Sequence, residues 1–287
     1  MTVSDSPLKA ANQPAATVDG AGKQAPLFVV EGIAKSYGSV KALSSGDLTV
    51  YPGEVLGVVG DNGAGKSTLL KIMSGLIAAD SGRLTLSGTP VSFASTLDAR
   101  RRGIATVYQD LALVEALDIA TNIFLGDFPT RRGFVQRKVM ERETLRVMRD
   151  LKVRIGSVRT PVALLSGGQR QIVAICRAVR LANTSLILLD EPTAALGVRE
   201  TAHVADIIGN LKSNGKAIVC VSHDMEFLMQ HADRIHVMRL GRSVATLDVP
   251  KTSRDEIVSL ITGASESETH ESGAPVGDPA QTQVGLE

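Results

Sequence analysis

Three short runs of this chain are almost wholly apolar and end on polar residues: 55–59, 186–189 and 217–221. Strands covered on both faces read this way, because neither row of side chains meets water. Weaker β-rich runs at 27–31, 47–50, 104–108 and 234–239 stop beside turn or polar signals and predict further strands. Leu69, Ile72, Met73 and Leu76 recur at i, i+3, i+4 and i+7, the spacing of an amphipathic helix. Between about Phe93 and Val162 the pattern turns mostly helical and charged, most clearly from Gln136 to Leu151, and another helix is expected from Gln169 to Leu181. The sum is an α/β core with a helical insertion at about 94–162.

Both chain ends lack this patterning. Residues 1–26 are rich in Ala, Pro, Gly, Ser and Asp, and residues 264–287 in Ser, Glu, Thr and Gly, so both are expected to be disordered around a folded part at 27–263. No internal repeat is visible. The apolar fraction of 44% suffices for a sizeable core, and with no Trp and 3% aromatics that core is built from Val, Leu, Ile and Ala. A net charge of +1 gives no general footprint for nucleic acid. The charge is uneven, however: residues 100–159 hold 13 Lys and Arg against 7 Asp and Glu. That excess fits either a solvated helical surface or one facing anionic lipid headgroups or a membrane protein. Cys176 and Cys220 sit in apolar or helical stretches and read as buried, reduced thiols. No apolar run approaches the roughly 20 residues that span a bilayer, and Pro7, Asn12 and Asp19 interrupt any signal-peptide core. A soluble, cytoplasmic chain is expected.

The chemistry concentrates in a few stretches. Gly60-Asp61-Asn62-Gly63-Ala64-Gly65-Lys66-Ser67-Thr68 follows an apolar strand and opens a helix. Its glycines permit positive φ and close backbone approach, so successive N–H groups can cup phosphate oxygens at a helix start. Lys66 can reach the β- and γ-phosphates, and Ser67 can ligate Mg²⁺. The strand at 186–189 runs into Asp190 and Glu191. Downstream of a phosphate loop, the first acid is placed to hold Mg²⁺ through water and the second to polarise an attacking water. Gln109 and His223 follow apolar strands, at the edge where doubly wound sheets bind ligands. Finally, Leu165-Ser166-Gly167-Gly168-Gln169 precedes a helix and makes a second backbone anion cradle.

With a phosphate loop, a Gln, this pentapeptide, an acidic pair and a His in that order, the chain resembles the ATP-binding cassette family over about 27–263. Within it, Tyr108-Gln-Asp-Leu-Ala-Leu113, Ala120-Thr-Asn-Ile-Phe-Leu-Gly126 and Glu191-Pro-Thr-Ala-Ala-Leu-Gly-Val198 are similar to the single-cassette branch of bacterial carbohydrate importers. The resemblance implies a P-loop NTPase core, with a RecA-like sheet and an antiparallel β subdomain, and an inserted helical signature subdomain. It implies ATP and Mg²⁺ as ligands: Tyr37 stacking on adenine, residues 60–68 on the phosphates, and Ser67, Gln109 and Asp190 at the metal. Glu191, Gln109 and His223 would serve hydrolysis. Ser166, Gly167, Gly168 and Gln169 would close on nucleotide held by a second copy, so a homodimer is expected. The expected partners are an integral-membrane permease and, indirectly, a periplasmic or lipid-anchored sugar-binding protein, with no nucleic acid. The chain would lie on the inner face of the cell membrane and drive monosaccharide import. A soluble cassette ATPase uncoupled from transport, or a non-hydrolysing nucleotide switch, is the alternative. One departure stands out: Gly197 occupies a position where most cassettes carry an Asp near the attacking water.

Overall fold

The computed structural model describes residues 25–153, 155–180 and 183–264. Apart from residues 25, 26 and 264, the two chain ends set aside by composition lie outside them, as does Leu181 at the end of the expected helix. Two long strands, β1 (Phe28–Tyr37) and β2 (Val40–Val50), come first, then β3 (Val55–Val59), which leads into helix α1 (Lys66–Met73). β4 (Ser81–Leu86), β5 (Thr89–Val91), α2 (Thr96–Arg101) and β6 (Ile104–Val107) follow. The helical part proper begins only after β6. It holds α3 (Ile119–Ile123), the two-residue strands β7 (Thr130–Arg131) and β8 (Phe134–Val135), and α4 (Arg137–Asp150). α5 (Gly167–Val179), β9 (Leu186–Asp190), α6 (Val198–Ser213), β10 (Ala217–Val221) and α7 (Met225–His231) then alternate. β11 (Arg234–Arg239), β12 (Arg242–Asp248) and α8 (Arg254–Thr262) complete the described elements.

Among the described residues the main strands form one sheet, ordered β5-β4-β1-β2-β12-β11-β3-β10-β9-β6. β6, β9, β10, β3 and β11 run parallel to one another, β12 runs antiparallel to β11 and parallel to β2, and β1, β2, β4 and β5 pair antiparallel among themselves. The halves meet where Arg242 of β12 pairs with Ser45 of β2. Every residue of β3, β9 and β10 is buried, as their unbroken apolar runs require. Alternate side chains go to opposite faces. Val55, Val59, Ile187, Leu189, Ile218 and Cys220 pack with the helices α3 to α6. Leu56, Val58, Leu186, Leu188, Ala217 and Val219 pack with α1 and the antiparallel half.

The expected strands at 55–59, 217–221 and 234–239 stand at those bounds, and α4 lies within the helix read from 136 to 151. Others needed correction. β1 and β2 extend well beyond 27–31 and 47–50, because each is paired along its length and its polar members point to solvent. β4, β5, β7, β8 and β12 were not expected. β12 alternates exposed and half-buried residues over a mixed sequence, so its strand character comes from pairing with β11. Both thiols are free and buried, and burial pushes Cys176 up to about 12, which leaves it inert as a nucleophile.

Candidate active site

The loop between β3 and α1 is held by geometry that only glycine tolerates. Gly60, Gly63 and Gly65 have φ of 149°, 81° and 97°. A Cβ at Gly60 would stand 2.1 Å from the Met238 carbonyl oxygen on β11, and one at Gly65 would stand 2.6 Å from Leu43 on β2. The loop is therefore pressed between two strands. Lys66 opens α1 at 6% exposure and folds back on the loop, its Nζ donating to the carbonyls of Gly60 at 2.7 Å and Asp61 at 2.9 Å. Burial lowers its pKa, while Glu191, Asp61 and Asp190 pull it back up.

A cavity of about 780 Å³ opens above this loop at the carboxyl ends of the parallel strands. Asn62, Gly63, Ala64, Gly65, Lys66, Ser67 and Thr68 floor it, and Gln109, Glu191 and His223 complete its wall. Asp190, the last residue of β9, is 7% exposed. Burial raises its carboxyl pKa, opposed by the positive field of Lys71, Lys66 and His223. Glu191 sits at φ 51°, just past the strand end, and its backbone N–H donates to Val221 on β10 at 2.9 Å. That turn aims the carboxylate at His223. Oε2 accepts from the His223 backbone N–H at 3.2 Å, and His223 Nε2 stands 3.2 Å from Oε1. The second approach lacks hydrogen-bond geometry, so Oε1 is a buried oxygen with no hydrogen-bond donor among the described residues. A buried carboxylate oxygen aimed into a polar cavity is suited to accept a proton from a water bound there.

Other members of the expected set stand apart from this cavity. Tyr37 is 48% exposed at the end of β1, outside the cavity lining, with Lys35 Nζ 6.0 Å from its ring centre. Val40, Lys41 and Ala42 of β2 line the cavity instead, as do Thr193, Ala194, Ser222 and Asp224. None was expected; Ser222 and Asp224, flanking His223, were within reach of the strand-end argument, but Lys41 and Ala42 arrive only through sheet pairing. Ser166 caps α5, which starts at Gly167, two residues ahead of the expected Gln169. The reason is a reciprocal cap: Ser166 Oγ accepts from the Gln169 backbone N–H, and Gln169 Oε1 accepts from the Ser166 backbone N–H. Gly168 lies under Glu200 of α6, whose Cγ is 2.2 Å from where a Gly168 Cβ would stand.

A phosphate loop after β3, an acid pair at the end of β9, two strands away in the same sheet, and a capped Gly-Gly helix start at α5 thus stand in one fold. The ABC transporter family matches over residues 43–194. A fructose import ATP-binding protein of Rhizobium meliloti is 41% identical, covering 85% of this chain and 96% of that protein. The chain belongs to the ABC transporter family. A xylose/arabinose import ATP-binding protein of Sulfolobus acidocaldarius is 42% identical to this ABC protein, over 82% of this chain and 94% of the other. An arabinose import ATP-binding protein of Burkholderia cenocepacia is 40% identical over 91% of this chain, but the match spans only 51% of that longer relative. Among solved structures, an ATP-binding cassette of an ABC transporter in its ADP conformation aligns with TM-score 0.72 at 23% identity, covering 87% of this chain and 100% of the other. A dimeric bacterial ABC transporter cassette aligns with TM-score 0.67 at 25% identity, over 77% and 98%.

Proposed function

We propose that this ABC protein binds ATP with Mg²⁺ and hydrolyses it as the nucleotide-driven subunit of a monosaccharide importer. The observation that carries the proposal is the cavity where the phosphate loop, Lys66 and the unpartnered Glu191 oxygen converge. The relatives named for fructose, xylose/arabinose and ribose import supply the cargo class. Residues 60–68 receive the phosphates: backbone N–H groups freed by the glycines face the anion, and Lys66 exchanges loop carbonyls for phosphate oxygens. Among the described residues no cluster of His, Cys, Asp and Glu suffices to hold a metal alone. The ion would therefore share ligands with phosphate, through Ser67, Gln109 and, by way of water, Asp190, whose buried carboxylate fits a cation's field. Bound there, Mg²⁺ would neutralise charge on the transferring phosphoryl group.

Glu191 orients the attacking water, fixed by the His223 backbone, while His223 and Gln109 face the same space. Tyr37 stacks on the adenine from the exposed end of β1. Ser166, Gly167, Gly168 and Gln169 complete the site of a second copy, so the working unit is a two-fold dimer seated on a permease at the membrane's inner face. A periplasmic or lipid-anchored binding protein supplies the sugar from the other side. No helix among the described residues is long and apolar enough to cross a membrane, so in this reading the path for cargo belongs to the permease.

The test is Glu191→Gln in the full chain, assembled with its permease. Nucleotide affinity should hold within about two-fold while phosphate release falls roughly 10²-fold or more. Undiminished turnover would remove Glu191 from its role. Negligible release from the unsubstituted chain, even with the permease, would favour a nucleotide switch, the reading that Gly197 motivates.

A further inference from the structure

Between α3 and α4 stands a structure that the nucleotide chemistry does not use. β7 and β8 pair Thr130 with Val135 and Arg131 with Phe134. The two turn residues, Arg132 and Gly133, have φ of 52° and 82°. Positive φ at both positions is the turn whose twist matches the flanking strands, and it makes a tight hairpin. A backbone bond from Gln136 N to Pro129 O, 2.8 Å, closes its base. The pair forms its own two-stranded sheet, separate from the main one.

What this finger presents is one-sided chemistry. Phe134 is 79% exposed and Val135 54%. A groove of about 650 Å³ beside them is lined by Arg131, Arg132, Arg137 and Lys138 and carries no acidic side chain. Arg137 is committed to Asp118 and Glu141. Among the described residues no carboxylate pairs with Arg131, Arg132 or Lys138, although ion pairs knit much of the neighbouring helix together. The unpaired cations thus lie within a few residues of an exposed aromatic.

We propose that this hairpin is a direct contact with an anionic phospholipid surface. Arg131, Arg132 and Lys138 lie on the headgroups, and Phe134 enters the boundary between headgroups and acyl chains. A lipid surface asks for charge of one sign and an apolar tip, without a fixed set of hydrogen-bond partners. Two strands of two residues offer far less than the roughly 800 Å² per partner of a stable protein interface. The contact goes beyond the proposed function, since it needs neither nucleotide nor permease; its service would be to fix the tilt of the subunit against the bilayer.

The experiment is co-sedimentation of the full chain, without permease, with vesicles of phosphatidylcholine alone or mixed with phosphatidylglycerol. Binding should require phosphatidylglycerol and fade as salt rises to about 0.5 M, where screening is short-ranged. Arg131→Gln with Arg132→Gln should lower the partition coefficient about 30-fold. Phe134→Ser should lower it roughly 10-fold. Melting temperature and nucleotide binding should stay unchanged in both variants, because the hairpin lies outside both core clusters. Equal sedimentation with neutral vesicles, no sedimentation at all, or undiminished binding by the double variant would each overturn the proposal. So would variants that bind vesicles as the unsubstituted chain does and lose only their assembly with detergent-solubilised permease, which would make the hairpin a protein contact. Each of these outcomes leaves the nucleotide reading standing, since that is measured separately as phosphate release.

Discussion

His236 is 2% exposed in β11, and both its ring nitrogens are taken: Nδ1 lies 2.8 Å from Thr246 Oγ1 and Nε2 2.9 Å from Ser243 Oγ, both on β12. Burial, reinforced by the charge of Arg234, lowers its pKa from 6.5 to about 4. The unfolded chain therefore takes up this proton at a higher pH than the folded one. The neutral imidazole contributes its full stability above pH 6.5 and loses it as pH falls towards 4, by about 3 kcal/mol. Urea unfolding across that window should show His236→Phe with a shallower acid slope than the unsubstituted chain; parallel slopes would contradict the assignment. Gly60 sets a second limit at this scale. Alanine there meets the Met238 carbonyl at 2.1 Å, so Gly60→Ala should lose about 2–4 kcal/mol and most nucleotide affinity together. Unchanged unfolding would mean that β11 yields more easily than its pairing with β3 and β12 suggests.

At the scale of elements, α5 carries two constraints at one end. Its reciprocal cap satisfies backbone donors that otherwise face solvent, and Ser166→Ala should cost about 1 kcal/mol. Gly168 is held to glycine by a constraint within the single chain, beside the one the sequence suggested. The anion-cradle argument asks for close approach by a phosphate from a second copy, but within a single chain Glu200 already occupies the space a side chain would need. Gly168→Ala should therefore lower the melting temperature of the isolated monomer by several degrees before any dimer is considered. An unshifted melt, with lost hydrolysis, would return Gly168 wholly to the partner's nucleotide. Gly197, at the cap of α6, shares this neighbour: a Cβ there would stand 2.9 Å from a Glu200 carboxylate oxygen, so any acid at 197 would have to displace Glu200.

For the whole molecule, the two anion-binding features have distinct fates. Residues 62–68 of the loop share a cavity with Glu191 and His223; the helix start at 166–169 does not line it. Under the proposed dimer, specific activity should rise with protein concentration and fade on dilution, while nucleotide binding by a protomer persists. Ser166→Arg should keep that binding and abolish the rise. A rate per protomer independent of concentration, from the micromolar range downward, would sink the two-copy site.

The buried strands 55–59 and 217–221 and the helix at 137–150 were legible because burial on two faces, or on one stripe, writes itself directly into residue order. The phosphate loop, the acid pair and the capped Gly-Gly were legible for a related reason: their chemistry is local, carried by backbone within a few residues. β5, β7 and β12 carry no such signature, since they are short or half-exposed hairpin strands with no apolar run to mark them. Only the tertiary structure decided that Ala42 walls the cavity, that Tyr37 stands outside it, and that Glu200 fills the space above Gly168. Those facts depend on which strand lies beside which, and long-range pairing leaves no mark on neighbouring residues.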